Sequence, residues 1–569
     1  HCGIKFIPSC FFIGDMDIPA TVSLTVPLRN PDVTGSGRSA LVIDPGEKKI
    51  SGLSMNDSSY QMSGDFQGTS VMLGELRTDA VGRLLVLPGH GVSASPSNQP
   101  VYNPSNPDSF NNAAGWYDDI ADGPVNAVVT IGDKDFVADG AWVTSAPPNF
   151  APDLVGWRTM NDLMKDVYTQ SGMMKIPDKI SFKNHVKPIL VRMNELQWVN
   201  KGFSSMFGPG APMNFSDGEL LKKLSVAPTS SLYPDPNQEL RRTIYNSFRA
   251  TDSRTVEEGA WPWIYGDAFG YTDPDPSAPP SPSKYLKLPY LYDYILSCWV
   301  AGNFESDYDP AADPTYEKLD ELNIQDQPGM LDEAAVHFCL ADAFHPGCEL
   351  TWPMRHASMY KAPYRIRERA PGKPDPTYGS TLTTTDVAKI SGPLYEQGPG
   401  DLTRWMALPW QGDTAYCRSG YDMEYDPYLP TFWPARVPNQ VLTEIDYQTL
   451  CDSSQPMTER IAAFHNRPSW LRQLPAQNPA PEQMMYMIEH FGEMGILEAR
   501  PKPKDIDWLP DTLYVENLTE VKRAELEEAH KLFQADYGQL GPWDKLLREA
   551  GWFNEEQRNE FATIKRRGN

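Results

Sequence analysis

Hydrophobic and polar positions along this chain change their rhythm near residue 150. Before that point, short apolar runs alternate with Gly, Pro, Asn and Asp, the pattern of strands joined by turns. Runs at 21–26, 40–43, 83–87 and 127–131 are read as strands. The stretch 92–112 is rich in Ser, Pro and Asn and has no period, so it is read as a long loop, a feature that often carries function. Trp116-Tyr117-Asp118-Asp119, followed by Asp122-Gly123-Pro124, is read as a turn between strands.

Beyond residue 150 the spacing becomes helical. Leu154, Trp157, Met160, Leu163 and Val167 mark a helix over 153–168, and Ile189, Met193 and Leu196 mark another over 186–198. Further helices are expected over 236–251, 290–300, 331–343 (capped by Asp332), 481–497 and 518–553. Residues 203–235 are read as loop, 273–282 as a Pro-rich surface excursion, and 365–440 as nearly free of helix. No internal repeat is visible. The expected class is α+β. It has a β-rich part over 1–150, a mainly helical middle over 151–330, and a catalytic region with a helical tail over 331–569.

Composition narrows the function classes. A chain of 569 residues is expected to hold more than one domain. It has no unbroken apolar run of the roughly 18 residues that a membrane span needs. A leader is not visible, although the chain opens at His1 rather than Met. A formal charge of −25 repels phosphate backbones and anionic lipid, so neither nucleic acid nor a membrane is an expected partner. Seven Cys in this length imply no disulfide framework. A soluble protein, cytoplasmic or secreted, fits these numbers.

The chain contains no phosphate-binding Gly loop, no Gly-x-Ser-x-Gly elbow and no His-Glu-x-x-His helix. Its densest cluster runs from Cys339 to His356 and includes Asp342, His345, Cys348, Glu349, Trp352 and Arg355. Taken alone, this is a helix stop followed by a buried Cys, or a zinc site lacking its second ligand pair. A second cluster, Gly400 to Asp413 followed by Cys417-Arg418, carries Trp405 and Trp410, which alone would be core aromatics.

Several segments, in order, resemble one family. They are Ile43-Asp44-Pro45-Gly46, Leu73-Gly74-Glu75-Leu76-Arg77-Thr78-Asp79, Gly82-Arg83-Leu84-Leu85-Val86-Leu87 and Trp116-Tyr117-Asp118-Asp119. Phe344-His345-Pro346-Gly347-Cys348-Glu349 and Leu408-Pro409-Trp410-Gln411-Gly412-Asp413 follow. They look like the quinoprotein amino-acid oxidases of the L-lysine epsilon-oxidase and glycine oxidase family. Two departures stand out. Only Phe11-Phe12-Ile13-Gly14 remains of the family's opening strand, and Asp342-Ala343 stands where the family often has Gly-Gly.

The resemblance implies a cysteine tryptophylquinone, a Cys sulfur bonded to a Trp oxidised to an ortho-quinone. It maps onto Cys348 and Trp410, with Cys339 and Trp405 as alternates, and implies no metal. The implied reaction is oxidative deamination of a primary amine or amino acid with O2, releasing hydrogen peroxide and ammonia. Asp342 is the first candidate base, and His345 a candidate to hold substrate or move protons. Arg355 and Arg418 are candidates for a substrate carboxylate. The family also implies a flavoprotein maturation partner and a homo-oligomer. The rival expectation is a non-enzymatic binding or structural protein on the same scaffold.

Overall fold

The computed structural model describes residues 29–105, 111–229, 234–251, 259–266, 285–310, 318–341, 350–374, 389–417, 436–474 and 480–518. The class is α+β, with small, mostly antiparallel sheets and short helices packed on a shared hydrophobic core.

The N-terminal three-stranded sheet orders Gln61–Phe66, Thr69–Thr78 and Leu84–Pro88 antiparallel. Its first hairpin turns on Gln67 and Gly68, both at positive φ (51° and 87°), the geometry that matches strand twist in a two-residue loop. Period-2 burial places Met62, Phe66, Val71 and Leu73 in the core. The register shifts opposite Met62 and Ser63, and Gly74 sits at this irregularity, where a Cβ would lie 2.3 Å from the Leu87 carbonyl oxygen. Ala121–Val125 pairs with Ala141–Ser145. Val128–Ile131 and Lys134–Val137 form a separate hairpin whose Val128, Val129, Ile131, Phe136 and Val137 are all more than half exposed.

Helices follow from their caps. The apolar phase beginning at Leu154 is real, but Leu154 and Trp157 are buried from coil, and the helix is Met160–Gln170. Thr159 sets the boundary by a capping box with Asp162. The 186–198 expectation resolves into a π segment, Phe182–Val186, the helix Lys187–Glu195 and a 3-10 turn, Leu196–Trp198. Gln238–Ser247 and Tyr290–Val300 lie where the spacing put them.

Other expectations are corrected. Residues 40–43 are the end of a 3-10 turn and a single bridge rather than a strand. The 203–235 stretch holds Lys201–Phe207 and Gly218–Leu224, both capped by a side chain (Asn200 and Asp217) that outweighs their weak periodicity. Asp332 caps nothing. The helix starts earlier, at Gln327, and Asp332 pairs bidentately with Arg365 at 2.8 and 3.0 Å. That helix fully buries none of its residues: Leu331 is exposed, while Val336, and beyond the helix end Cys339 and Leu340, pack against the core. The 365–440 region contains the helix Trp410–Cys417, and the 481–497 helix ends at His490 before a strand, Ile496–Pro501. That strand joins Thr512–Asn517 and Leu442–Thr443 in a mixed sheet, order Leu442–Thr443, Thr512–Asn517, Ile496–Pro501. The expected strand at 21–26, the excursion at 273–282 and nearly all of the 518–553 helix lie outside the described residues. Among the described residues no helix is long and apolar enough to cross a membrane.

Candidate active site

Trp410 opens its helix and is buried. The chain reaches it through a cis Leu408–Pro409 bond. Leu408 is fixed from across the fold: its N–H donates to the Asn111 carbonyl at 2.9 Å, and its carbonyl accepts from Ala113 at 2.9 Å. The buried Arg29 guanidinium adds hydrogen bonds to the Met406 carbonyl (3.1 Å) and the Asn112 side chain (2.6 Å). The helix itself packs on Ala480–His490, and Gly412 lies close against it, where a Cβ would sit 3.0 Å from the Met484 methyl.

The long loop wraps this helix. Tyr102 stacks on Tyr416 at 5.5 Å, and the Gln411 amide donates to the Gly91 carbonyl at 2.7 Å. Phe491 meets the Trp410 ring edge-on at 5.1 Å and 74°. Gly91 makes that contact possible. Its φ is +81°, and a Cβ would fall 2.1 Å from the Phe491 ring.

The segment read as a turn between strands is buried and carries three carboxylates. Asp118, Asp119 and Asp122 are all almost fully inaccessible, and Asp122-Gly123-Pro124 lies within the strand Ala121–Val125. Asp118 accepts the Trp410 backbone N–H at 3.4 Å and contacts the Ser93 hydroxyl. Burial pushes its pKa up to about 8, against the Ser93 contact and the Trp410 N–H; the nearby Asp119 raises it further and Arg29 lowers it. Burial likewise lifts Asp119, against backbone N–H groups of Val92, Gly91 and His90. Asp122 is lifted to about 6 by burial, opposed by the Thr403 hydroxyl and N–H and by the Trp142 indole N–H. Sequence reading missed this trio because Asp beside Gly-Pro is the ordinary signature of a surface turn. The signal that marks it is the neighbouring Trp116, Tyr117 and Ile120, which are buried with it.

Asn111 adds an unusual feature. It is fully buried, and neither its amide nitrogen nor its amide oxygen has a hydrogen-bond partner among the described residues. This open donor and acceptor lie one residue from the Asn112–Leu408 bridge, on the segment that fixes the backbone two residues before Trp410.

Two sequence models of one family match the chain in order. One, described as L-lysine epsilon oxidase N-terminal, covers residues 11–145; the other, the L-lysine epsilon oxidase C-terminal domain, covers 272–433. This chain belongs to the L-lysine epsilon oxidase family. The L-lysine 6-oxidase of Marinomonas mediterranea is 27% identical over 439 residues, 69% of this chain and 55% of that protein, so the match spans about half the relative's length. The crystal structure of L-Lys epsilon-oxidase from the same organism superposes with a TM-score of 0.61 at 21% identity, covering 91% of this chain and 82% of that one. The structure titled as its Schiff base intermediate with L-Lys gives 0.60 at 21%, covering 90% and 82%. These likenesses establish a shared fold.

Within this family fold, the residues singled out from sequence are distributed unevenly. Asp342, His345, Cys348 and Arg418 lie outside the described residues. The chain on either side of 342–349 is anchored beside one helix. Arg158 donates to the Ala341 carbonyl at 2.5 Å, and Thr351–Met354 packs on Met160–Gln170. Cys339 is not on a helical apolar face. It follows the helix end, half-buried, with its thiol on the Ala335 carbonyl at 3.4 Å and its own carbonyl accepting from Met160. Trp405 is buried in a 3-10 turn with the Arg404 guanidinium over its ring at 5.2 Å. Arg355 lines a cavity of about 520 Å³ together with Arg158, Lys287, Asp166 and Tyr285. Beside it His356 is lowered to about 4, by burial first and by Arg355 second, so it is neutral at physiological pH. Among the described residues no cluster of His, Cys, Asp and Glu is arranged to hold a metal.

Proposed function

We propose that this protein is an amine or amino-acid oxidase that deaminates a primary amine with O2, releasing hydrogen peroxide and ammonia. Its cofactor is a cysteine tryptophylquinone formed from Cys348 and Trp410. One observation carries the reading: the tryptophan selected by the family motif is buried against Phe491, with its backbone N–H on a protonatable carboxyl group. When formed, the quinone supplies the two-electron acceptor that amine oxidation requires and no unmodified side chain provides.

The chain's own residues supply the rest. Phe491 and the 91–93 loop exclude water from the Trp410 ring. Asp118 holds the backbone at the start of its helix. Asp342 is the proposed base and His345 its proton-moving neighbour. Arg355 stands in a cavity lined by three cations and one acid, a field that suits a carboxylate in a chain of strongly negative charge. Arg418 is the second carboxylate candidate. A small amino acid or other primary amine is the proposed substrate, and a flavoprotein maturation partner and a homo-oligomer belong to the same proposal, as does the division at 150 and 330.

Mass spectrometry of peptides from the purified protein tests the cofactor. A cross-linked peptide joining Cys348 to Trp410, carrying the oxygens of an ortho-quinone, is expected, together with amine-dependent peroxide release. Separate, unmodified peptides overturn the oxidase reading and leave a binding scaffold.

A further inference from the structure

We propose that Asp118 is a positioning residue of this site that works as a neutral acid, heading a proton chain Asp118–Ser93–Gln411 that fixes the first turn of the Trp410 helix. The inference rests on the oxidase reading for its purpose, but its structural core does not.

The argument is a count of protons. Ser93 Oγ is within hydrogen-bonding distance of two acceptors, Asp118 Oδ1 and Gln411 Oε1, the latter at 2.8 Å. A serine hydroxyl brings one proton. The Gln411 amide cannot turn to offer its nitrogen instead, because Nε2 already donates to the Gly91 carbonyl at 2.7 Å and reversal would set two oxygens face to face. The Ser93 proton therefore goes to Gln411, and the contact between Ser93 and Asp118 needs its proton from the carboxyl group. A neutral Asp118 satisfies every atom: its O–H donates to Ser93 Oγ, Ser93 donates to Gln411, and Asp118 Oδ2 accepts the Trp410 N–H. An ionised Asp118 draws the serine proton back and leaves Gln411 Oε1 facing a lone pair, inside a site where all three side chains are buried.

The surrounding charges agree. Burial raises the Asp118 carboxyl first, the adjoining Asp119 disfavours a second negative charge, and Arg29, reaching from the N-terminal end, opposes both least, so the group is pushed up to about 8. The chain ties three parts of the fold to Trp410: the 91–93 loop through Ser93 and Gly91, the buried 118–122 segment, and the helix itself. Because Gly91 also abuts Phe491, loosening the chain frees the ring that meets Trp410 edge-on.

The test uses the full-length mature protein as wild type, Asp118→Asn, Asp118→Ala and Ser93→Ala. Asn reproduces a neutral acid, with one donor and one acceptor. Asp118→Asn should keep the visible quinone band and most of its turnover. Asp118→Ala and Ser93→Ala should shift the band and lower kcat by roughly 10- to 100-fold, the scale of a misplaced reacting group. In wild type the band should change as pH rises through about 8, and in Asp118→Asn it should not. Asp118→Asn behaving like Asp118→Ala, or Asp118→Ala matching wild type, overturns the proposal. If wild type has no visible band, the oxidase reading fails and stability decides the rest. Between about pH 6.5 and 7.5, folded wild type should hold close to one proton more, relative to its unfolded chain, than folded Asp118→Asn does relative to its own. Equal pH slopes of unfolding for the two proteins overturn the neutral acid.

Discussion

Two buried carboxylates in this molecule are handled in opposite ways. Asp162, at the start of the Met160–Gln170 helix, is pushed up by burial. The Arg192 guanidinium at 2.5 Å, the Thr159 N–H and hydroxyl, and Tyr292 outweigh that burial, so its pKa ends below the ordinary carboxylate value. Asp118 is buried at least as deeply, has Arg29 only as its smallest opposing influence, and is pushed up to about 8. The helical framework thus holds its acid as an ion in a hydrogen-bonded pair, while the neighbourhood of Trp410 holds its acid neutral. Asp122 behaves like Asp118, with Thr403, Leu402 and Trp142 as its donors among the described residues. The difference teaches where charge is tolerated. Ion pairs fix element boundaries, as Arg472 does with the buried Glu516 at 2.5 and 3.0 Å. The tryptophan proposed to become the electron acceptor sits among groups whose proton count can change.

The comparison can be broken or sharpened in order of expected effect. Trp410→Phe keeps a buried aromatic but removes the indole, so amine-dependent peroxide and the visible band should both fall to background in an oxidase assay. Arg192→Met removes the cation and leaves Asp162 buried without its partner, with an expected loss of about 3–5 kcal/mol in urea unfolding. Arg355→Ala should raise KM for an amino-acid substrate roughly 10- to 100-fold, the equivalent of one charge-assisted hydrogen bond, and leave KM for the matching amine without a carboxylate unchanged. That split is read from steady-state kinetics on the two substrates. Asp122→Asn should have the smallest effect, confined to pH dependence. Its folded pKa near 6 lies above the ordinary 3.8, so the folded state keeps a proton that the unfolded chain has lost. Stability should fall as pH rises from about 4 to about 6 and then level off. The Asn variant should flatten that slope by up to one proton, about 1.4 kcal/mol per pH unit. Asp162 has the opposite sign: its contribution is present above the ordinary carboxylate value and is lost on acidification, so Asp162→Asn should blunt acid unfolding instead.

Much of the scaffold was legible from the chain. The 3.6-period run at 290–300 names its structure because burial of one face determines it, whereas the apolar run at 83–87 falls on the strand Leu84–Pro88 although Leu84 and Leu85 are exposed. Caps were read less well. Thr159 with Asp162, and Asn200 with Phe203, are local hydrogen-bond arrangements that override the apolar phase and shift a boundary or create a helix inside a supposed loop. The tryptophan was found through its motif, but its helix was not, since Pro, Gly and Asp around Trp410 give no amphipathic pattern. The buried acids were misplaced altogether. Their burial comes from contacts such as Ser93 with Gln411, 318 positions apart, and Thr403 with Asp122, 281 apart, which no local pattern encodes.

Gly91 has a practical consequence for anyone reshaping the neighbourhood of Trp410. At position 91 adding even a methyl group drives into the aromatic plate of Phe491. Room has to be won by trimming Phe491, on the other side of the contact. A combinatorial library that randomises both positions should therefore return variants that shrink the ring while retaining the glycine, and the reverse combination should be missing from the active pool.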